Sequence, residues 1–288
     1  MPVPPLPLLL RTIPKTGETL PALGLGSWQS FDIPIEDSKP SESITALKNV
    51  LNTLALSGAR LLDTSPMYGY SEATLGTLAQ RIDRSEHFFW ATKVWTHGQA
   101  ASRAQMEQSR IRMQVKHIDL MQIHNLVDVS VHTPTLQHMK AEGQLRYIGI
   151  THYQSQSHES LERLVKTNDY DFVQCNFSIL EPEAEDRLLP SCQDHGVAVI
   201  VNRPFAQAEL FNKIRGIPLP DWSKEWGCQT WAHFFLKYIL SHPAVTCVIP
   251  ATSKVSHLEE NLTAASGLLP GPADRKRMFN AFKKIVNS

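Results

Sequence analysis

Cysteine is scarce in this chain. The four cysteines, Cys175, Cys192, Cys228 and Cys247, lie far apart in the sequence and form no Cys-x-x-Cys pair. This spacing indicates buried, reduced thiols rather than a disulfide framework or a cysteine-based zinc site. We therefore expect a protein of a reducing compartment, and the cytoplasm is the default.

The chain also lacks any block of like charge and any long apolar run. Its 28 basic and 28 acidic residues cancel, so we predict neither a nucleic-acid arm nor a patch for an anionic membrane. No stretch approaches the ~20 apolar residues of a membrane span. Residues 1–7 are apolar but interrupted by prolines, so no signal peptide is predicted.

What the chain does contain is a repeated alternation of strand and helix patterns. Apolar runs without polar alternation, such as residues 197–201, are typical of parallel strands covered on both faces. Eight such strands, each followed by a helical pattern, can be counted between residues 22 and 265. In a chain of 288 residues, this favours a single (β/α)8 TIM barrel over a doubly wound sheet.

The two ends of the chain fall outside this alternation. Apolar runs around Gly17 predict an N-terminal β-hairpin. After Pro272, apolar residues recur on one helical face, which predicts a C-terminal helix packed on the outside of the barrel. No linker or low-complexity tract interrupts the chain, so residues 1–288 are predicted to form one domain.

Four polar side chains lie at the ends of three successive predicted strands. Asp63 and Tyr68 follow the first of these strands, Lys93 ends the next, and His124 ends the third. Alone, each has an ordinary explanation, such as a helix cap or a satisfied core histidine. Because the carboxyl ends of barrel strands form one rim, their joint placement favours a single active site. A phenol titrates near ~10 and needs a neighbouring cation to ionise more easily.

These stretches resemble the aldo-keto reductases, and the resemblance covers nearly the whole chain. Residues 24–28, Gly-Leu-Gly-Ser-Trp, are similar to that family's first-strand Gly-x-Gly-Thr-Trp. Residues 63–69 resemble its Asp-Thr-Ala motif and the Tyr-Gly that follows it. Residues 92–95 and 119–124 are similar to its lysine and histidine strands. Each string is short, but four in the family's order and spacing are specific.

The resemblance implies reversible hydride transfer between a small-molecule carbonyl compound and NADPH, with NADH as a possible substitute. Tyr68 would be the general acid, with its phenolate stabilised by Lys93. Asp63 would keep Lys93 charged, and His124 would bind the carbonyl oxygen. Trp28 and Trp95, and with them Phe31, would make an apolar substrate slot. The substrate, the direction and the oligomeric state stay open.

The same resemblance implies a cofactor groove along strands five to eight. Gln174 would contact the nicotinamide carboxamide, and either Arg203 or Phe205 would cover its ring. The segment from Thr252 to Asn261 would hold the phosphate and adenine. The full expected set is Thr151, His152, Gln174, Asn202, Arg203, Pro204, Phe205, Thr252, Ser253, Lys254, His257, Glu260 and Asn261. The tryptophans of the long connection at 205–227, Trp222 and Trp226, would form a lid or pack on the surface.

Two other functions compete with a carbonyl reductase. One is a redox sensor or auxiliary subunit that binds the nicotinamide cofactor and turns over little. The resembled family usually has Ser-Asn where this chain has Thr151 and His152, and often an aromatic residue where it has Asn202, which leaves room for this function. The other is a metal-dependent barrel hydrolase, which needs clustered ligands at strand ends. Only His124 and His152 qualify, and no carboxylate motif joins them.

Overall fold

The computed structural model describes residues 7–36 and 41–286. Within these ranges, eight parallel strands form one sheet whose order follows the sequence. The first and last strands meet through parallel bridges between Leu23 and Val248 and between Gly26 and Ala251. This arrangement confirms the predicted (β/α)8 barrel. The proline-broken start considered above, residues 1–6, lies outside the described residues.

The strands are short. They are β1 (Leu10–Thr12), β2 (Thr19–Pro21), β3 (Leu25–Gly26), β4 (Leu61–Asp63), β5 (Phe89–Val94), β6 (Ile118–His124), β7 (Leu145–His152), β8 (Phe172–Asn176), β9 (Ala198–Asn202) and β10 (Val245–Val248). Strands β1 and β2 pair antiparallel as the predicted hairpin, and β3 to β10 form the barrel.

Helices alternate with the barrel strands. They are α1 (Glu42–Leu56), α2 (Ser71–Arg81), α3 (Gln99–Met113), α4 (Val129–Ala141), α5 (His158–Val165), α6 (Leu188–Asp194), α7 (Glu209–Lys213), α8 (Trp231–Leu240), α9 (Val255–Ala264) and α10 (Pro272–Val286). Helix α4 begins four residues before the predicted Thr133. The reason is that the carbonyl of Asp128, a residue in the left-handed conformation, already accepts from Val131 and His132.

The barrel interior is filled with side chains rather than open. Strand side chains alternate between the two faces of the sheet, and the inward set packs into one cluster. Within it, the rings of Phe89, Tyr147 and Phe172 contact one another at centroid distances of 5.3–6.1 Å. Ile13 and Leu20 of the hairpin belong to the same cluster. The hairpin therefore closes one end, and the open rim lies at the carboxyl ends of the strands.

Helix α10 packs on the outside of the barrel, as predicted. Met278 and Phe282 are buried, and the Phe282 ring lies 5.8 Å from that of Phe235 in α8. No helix in residues 7–36 and 41–286 is long and apolar enough to cross a membrane. The four cysteines are buried and free.

The tryptophans of the long connection pack on the surface and form no lid. Trp222 contacts Trp226 and the Phe234 ring of α8, each at a centroid distance of 5.9 Å. On its other side, the guanidinium of Arg277 from α10 lies 4.1 Å from the Trp222 ring. The apolar surface of α8 captures these rings, so the connection approaches the rim only through its first residues.

Candidate active site

A buried ammonium group lies at the centre of the rim. Lys93 of β5 donates to Asp63 Oδ2 and to the carbonyl oxygen of Thr64, both at 2.7 Å. On its other side, the ammonium lies 5.0 Å from the centroid of the Tyr68 ring. A lysine ammonium has three N–H donors, so one remains for the phenol after Asp63 and Thr64 take two. The fold brings Asp63, Tyr68 and Lys93 together, as predicted.

Tyr68 reaches this position through a tight turn after β4. Its N–H donates to the Ser65 carbonyl at 3.0 Å, and Gly69 follows with φ at +57°. The next N–H, of Tyr70, donates to Asp32 at 2.8 Å. A Cβ on Gly69 would lie 2.0 Å from the same carboxylate. The turn therefore requires glycine both for its backbone conformation and for space.

His124 ends β6 on the other side of the phenol. Its ring centroid lies 6.1 Å from that of Tyr68 and 6.2 Å from that of Trp95. Burial, the charge of Lys93 and the neighbouring His152 together lower the pKa of His124 to about 3. The imidazole is therefore neutral at pH 7, and one of its nitrogens is a donor while the other is an acceptor.

The pKa of Tyr68 differs from the sequence-based expectation. Burial raises it most, Lys93 lowers it, and Asp63 raises it again, so the pKa lies above the ordinary value of 10.0. For Lys93, burial by itself lowers the pKa, but attraction to Asp63 and Tyr68 raises it overall. At neutral pH the site therefore holds a protonated phenol beside a fixed cation.

Two glutamine amides hold the other oxygen of Asp63. Gln174 of β8 donates to Oδ1 at 2.7 Å, and Gln122 of β6 donates to it at 3.2 Å. The Gln174 side-chain oxygen accepts from Thr151 and Asn202 at 3.3 and 3.2 Å. Gln122 was not among the predicted site residues. It lies two residues before His124, so both side chains are on one face of β6.

A cavity of about 1060 Å³ opens above this cluster. Its outer part is apolar, with Trp28, Met67, Trp95 and Tyr153 on the lining. All four side chains are partly exposed. The fully buried Phe31 belongs to the core instead, contrary to its expected place in the slot. Apolar walls with a few convergent polar groups are typical of a small-molecule site.

The family model of the aldo/keto reductases matches residues 22–271. The chain belongs to the aldo/keto reductase family. Members of this family are NAD(P)H-dependent oxidoreductases that act on carbonyl and hydroxyl groups, and the chain is such an enzyme.

Characterised aldo-keto reductases are distant in sequence but similar in fold. The aldo-keto reductase YhdN of Bacillus subtilis is 25% identical over 70% of this chain, and the match spans 64% of YhdN. L-galactose dehydrogenase of Arabidopsis thaliana is 27% identical over 90% of this chain and 88% of its own. A Klebsiella pneumoniae aldo-keto reductase in complex with NADPH superimposes with a TM-score of 0.78, at 21% identity over 96% and 95% of the two chains.

The cavity brings together nearly all the residues expected to form the aldo-keto reductase site. From the predicted set it is lined by Trp28, Asp63, Tyr68, Trp95, His124, Thr151, Gln174, Asn202, Arg203, Pro204, Phe205, Thr252, Ser253, Lys254, His257, Glu260 and Asn261. Lys93 is buried behind Asp63 and Tyr68. His152 does not line the cavity: its ring stacks on Tyr153 at 5.5 Å, and its Nδ1 accepts from the Gln154 N–H.

Two buried polar atoms fit a polar ligand in the groove. Ser27 Oγ and Asn202 Oδ1 have no hydrogen-bond partner among the described residues, and both side chains line the cavity. Buried polar atoms normally find a partner, so these two are suited to the amide and hydroxyl groups of a nicotinamide cofactor. In the described part of the chain, no group of three His, Cys, Asp or Glu side chains is placed to hold a metal.

Proposed function

We propose that this aldo-keto reductase is an NADPH-dependent carbonyl reductase in which Tyr68 is the general acid. The observation that carries the proposal is that two hydrogen bonds fix Lys93 to Asp63 and Thr64, with its ammonium 5.0 Å from the Tyr68 ring centroid. A cation fixed in this way cannot move to another acceptor when Tyr68 loses its proton. It therefore stabilises the phenolate where it forms, without reorganisation.

Four side chains, which we call the tetrad, have separate roles in the reduction: Asp63, Tyr68, Lys93 and His124. His124 and the Tyr68 hydroxyl donate to the carbonyl oxygen and orient it. As negative charge develops on that oxygen, the Tyr68 proton transfers to it, leaving a phenolate beside Lys93. Asp63 keeps Lys93 charged, since burial alone lowers the pKa of this lysine. In the oxidation direction the same groups return the proton.

The groove along β7 to β10 is suited to NADPH, and NADH is the alternative. When bound, the cofactor supplies the hydride. Asn202, Gln174 and Thr151 would hold the nicotinamide end, with Arg203 or Phe205 beside the ring. Thr252, Ser253, Lys254 and His257 would hold the phosphate end, and Glu260 and Asn261 the adenine. The NADPH complex of the structurally similar Klebsiella pneumoniae reductase supports this cofactor.

The lining around Tyr68 favours aldehydes and ketones with an apolar or aromatic substituent. Trp28, Met67, Trp95 and Tyr153 supply the apolar surface. Arg203, directly after β9, is a cation of the cavity lining, and it pairs with Glu181 at 3.6 Å. A substrate carboxylate would have to compete for it. We therefore propose uncharged carbonyl compounds as substrates, converted to the matching alcohols.

Replacing Tyr68 by phenylalanine tests the proposal. We expect turnover to fall by roughly 10²–10⁴, the usual contribution of a general acid, while NADPH binding measured by fluorescence titration stays nearly unchanged. A variant that keeps more than about a tenth of wild-type turnover would rule out Tyr68. A panel of aldehydes and ketones is also tested with the wild-type protein in single turnovers. If none of these compounds oxidises the bound NADPH, the cofactor-binding sensor is the better assignment.

A further inference from the structure

The hydroxyl of Ser65 contacts the ring of His124 at Nδ1. Ser65 lies two residues after Asp63 and is fully buried. Its Oγ lies 3.3 Å from Nδ1 of His124 and accepts from the N–H of Met67 at 3.2 Å. The described residues provide this oxygen with no third hydrogen-bond partner. Ser65 therefore joins the turn that carries Tyr68 to the imidazole facing it.

The donors and acceptors around Ser65 decide whether Ser65 Oγ or His124 Nδ1 donates in this contact. A serine hydroxyl has one proton to donate and two lone pairs that accept. The Met67 N–H uses one lone pair, and Nδ1 of His124 is the acceptor within reach of the proton. If Nδ1 carried the imidazole proton instead, the Ser65 proton would be buried without an acceptor among the described residues. Such groups are rare because they lose their hydrogen bond to water without replacement.

We propose that Ser65 is a positioning residue that selects the tautomer of His124. Nδ1 accepts from Ser65, and Nε2 carries the proton that His124 donates to the substrate oxygen. This inference rests on the proposed function, in which His124 contacts the carbonyl oxygen. In the opposite tautomer, a lone pair on Nε2 would face that oxygen and repel it.

The surroundings of the ring fit this assignment. The neutral His124 has one ring proton, carried by either Nδ1 or Nε2. Lys93 and His152 lower the pKa of the imidazole by their charge, and the titratable phenol of Tyr68 also faces the ring. The edge of Tyr68, at an interplanar angle of 86°, and the tilted ring of Trp95, at 56°, contact the imidazole from two sides. These contacts hold the ring orientation in which Nδ1 meets Ser65.

The tautomer can be measured directly by ¹⁵N NMR on the full-length protein without substrate. In long-range ¹H–¹⁵N spectra, protonated and bare ring nitrogens resonate at well-separated shifts. His124 is one of 12 histidines, and its signals are assigned as those missing in His124→Gln. We expect the Nε2–H form in wild type and a shift towards Nδ1–H in Ser65→Ala. Alanine should be tolerated because it occupies this place in the Asp-Thr-Ala motif that the stretch resembles.

Turnover links the tautomer to the reaction. In Ser65→Ala we expect kcat to fall roughly two- to tenfold, the factor for one neutral hydrogen bond. The matched control is Asp32→Ala, which frees the Tyr70 N–H of the same turn without touching His124. It should lower turnover but leave the Nε2–H signal unchanged.

Three results would overturn the proposal: an Nδ1–H form in wild type, an unchanged tautomer in Ser65→Ala, or a shifted tautomer with unchanged kcat. The spectra involve no substrate. A failure of Tyr68→Phe to lose activity would therefore count against the proposed function and leave the measured tautomer standing.

Discussion

Lys93 Nζ lies 2.7 Å from Asp63 Oδ2, with side chains that are only 1% and 4% exposed. A buried ion pair gains stability only if its attraction and hydrogen bonds offset the loss of hydration. Here further hydrogen bonds support the pair: Lys93 donates to the Thr64 carbonyl, and Gln174 and Gln122 donate to the second carboxylate oxygen. The pair is therefore fixed in place at the rim, with the ammonium 5.0 Å from the Tyr68 ring centroid.

Lys93→Met should change the pH dependence of the reaction as well as its rate. Lys93 lowers the pKa of Tyr68 against the effect of burial, so its removal raises that pKa further. Reduction needs the protonated phenol, so its alkaline limit should move to higher pH or vanish; oxidation needs the phenolate, so its acid limit should rise. The free energy of unfolding should also fall by about 3–5 kcal/mol, because Asp63 loses its buried partner.

Steady-state rates from pH 5 to 11 in both directions test this expectation. Lys140→Met is the control, since Lys140 pairs with Asp171 at 2.6 Å but lies away from the rim. It should leave the pH profile unchanged. A Lys93→Met profile that coincides with wild type, with only a modest loss of rate, would make Lys93 a structural residue.

Substitution of the two glutamines that contact Asp63 should distinguish a residue that only supports the tetrad from one that also binds the cofactor. Both donate to Asp63 Oδ1, but Gln174 lines the cavity and Gln122 does not. Gln122→Leu should lower kcat by roughly two- to tenfold, as expected for one hydrogen bond, and leave the Kd for NADPH unchanged. Gln174→Leu should lower kcat and raise that Kd. Fluorescence titration and steady-state kinetics on both variants measure these quantities, and equal effects on NADPH binding would contradict the distinction.

The sequence predicted the barrel because the strand–helix repeat is strong and runs such as residues 197–201 are apolar on both faces. It predicted the tetrad because the carboxyl ends of successive strands must meet at one rim. Contacts that depend on side-chain direction were not predictable in the same way. His152 has the right position in the chain, but its ring stacks on Tyr153 instead of lining the groove.

Competition between forces accounts for the other differences. Trp222 packs against Phe234 of α8, Arg277 of α10 and Trp226 instead of crossing the groove, and no local sequence pattern predicts this packing. The raised pKa of Tyr68 follows from its burial, which a sequence motif does not quantify. Gln122 could have been predicted, since it shares a face of β6 with His124, two positions away. Ser65 follows β4 and belongs to the same Asp-Thr-Ser stretch as Asp63.

Glu72 should limit the stability of the protein at neutral pH. Its carboxyl is 1% exposed and accepts from Thr92 Oγ1 at 2.7 Å. Burial outweighs the effects of Thr92, Ser109 and Arg112 and raises its pKa. The stabilising, protonated form is fully present below the unfolded-state pKa, and its contribution is lost as pH rises through the higher folded-state pKa.

Glu72→Gln should therefore be more stable than wild type at pH 7, by on the order of 1 kcal/mol, and equal to it near pH 3.5. Glutamine resembles the neutral carboxyl and keeps the acceptor for Thr92. Urea unfolding at both pH values gives the comparison, with the exposed Glu107→Gln as control. Arg110 lowers the pKa of Glu107, so that variant should gain nothing at pH 7. A Glu72→Gln gain that is the same at both pH values would contradict the argument.

The cofactor preference should be narrower than is common in the family. Discrimination against NADH needs cations around the ribose 2′-phosphate. The resembled aldo-keto reductases commonly have lysine directly after the Ile-Pro that follows the last barrel strand, and arginine six residues further on. After β10, this chain has Ala251 and His257 at those places. Lys254 lines the cavity beside them and forms no ion pair within residues 7–36 and 41–286. It is therefore the local cation available to the phosphate.

One exposed lysine–phosphate contact contributes about 1–2 kcal/mol, a preference of roughly ten- to thirtyfold. Lys254→Ala should therefore bring NADPH and NADH to near parity without weakening NADH binding. Dissociation constants for both cofactors test this, with Lys213→Ala in α7 as control. A preference that survives in Lys254→Ala would contradict the assignment. The phosphate would then need another cation, and Arg203 would have to leave Glu181 to supply it.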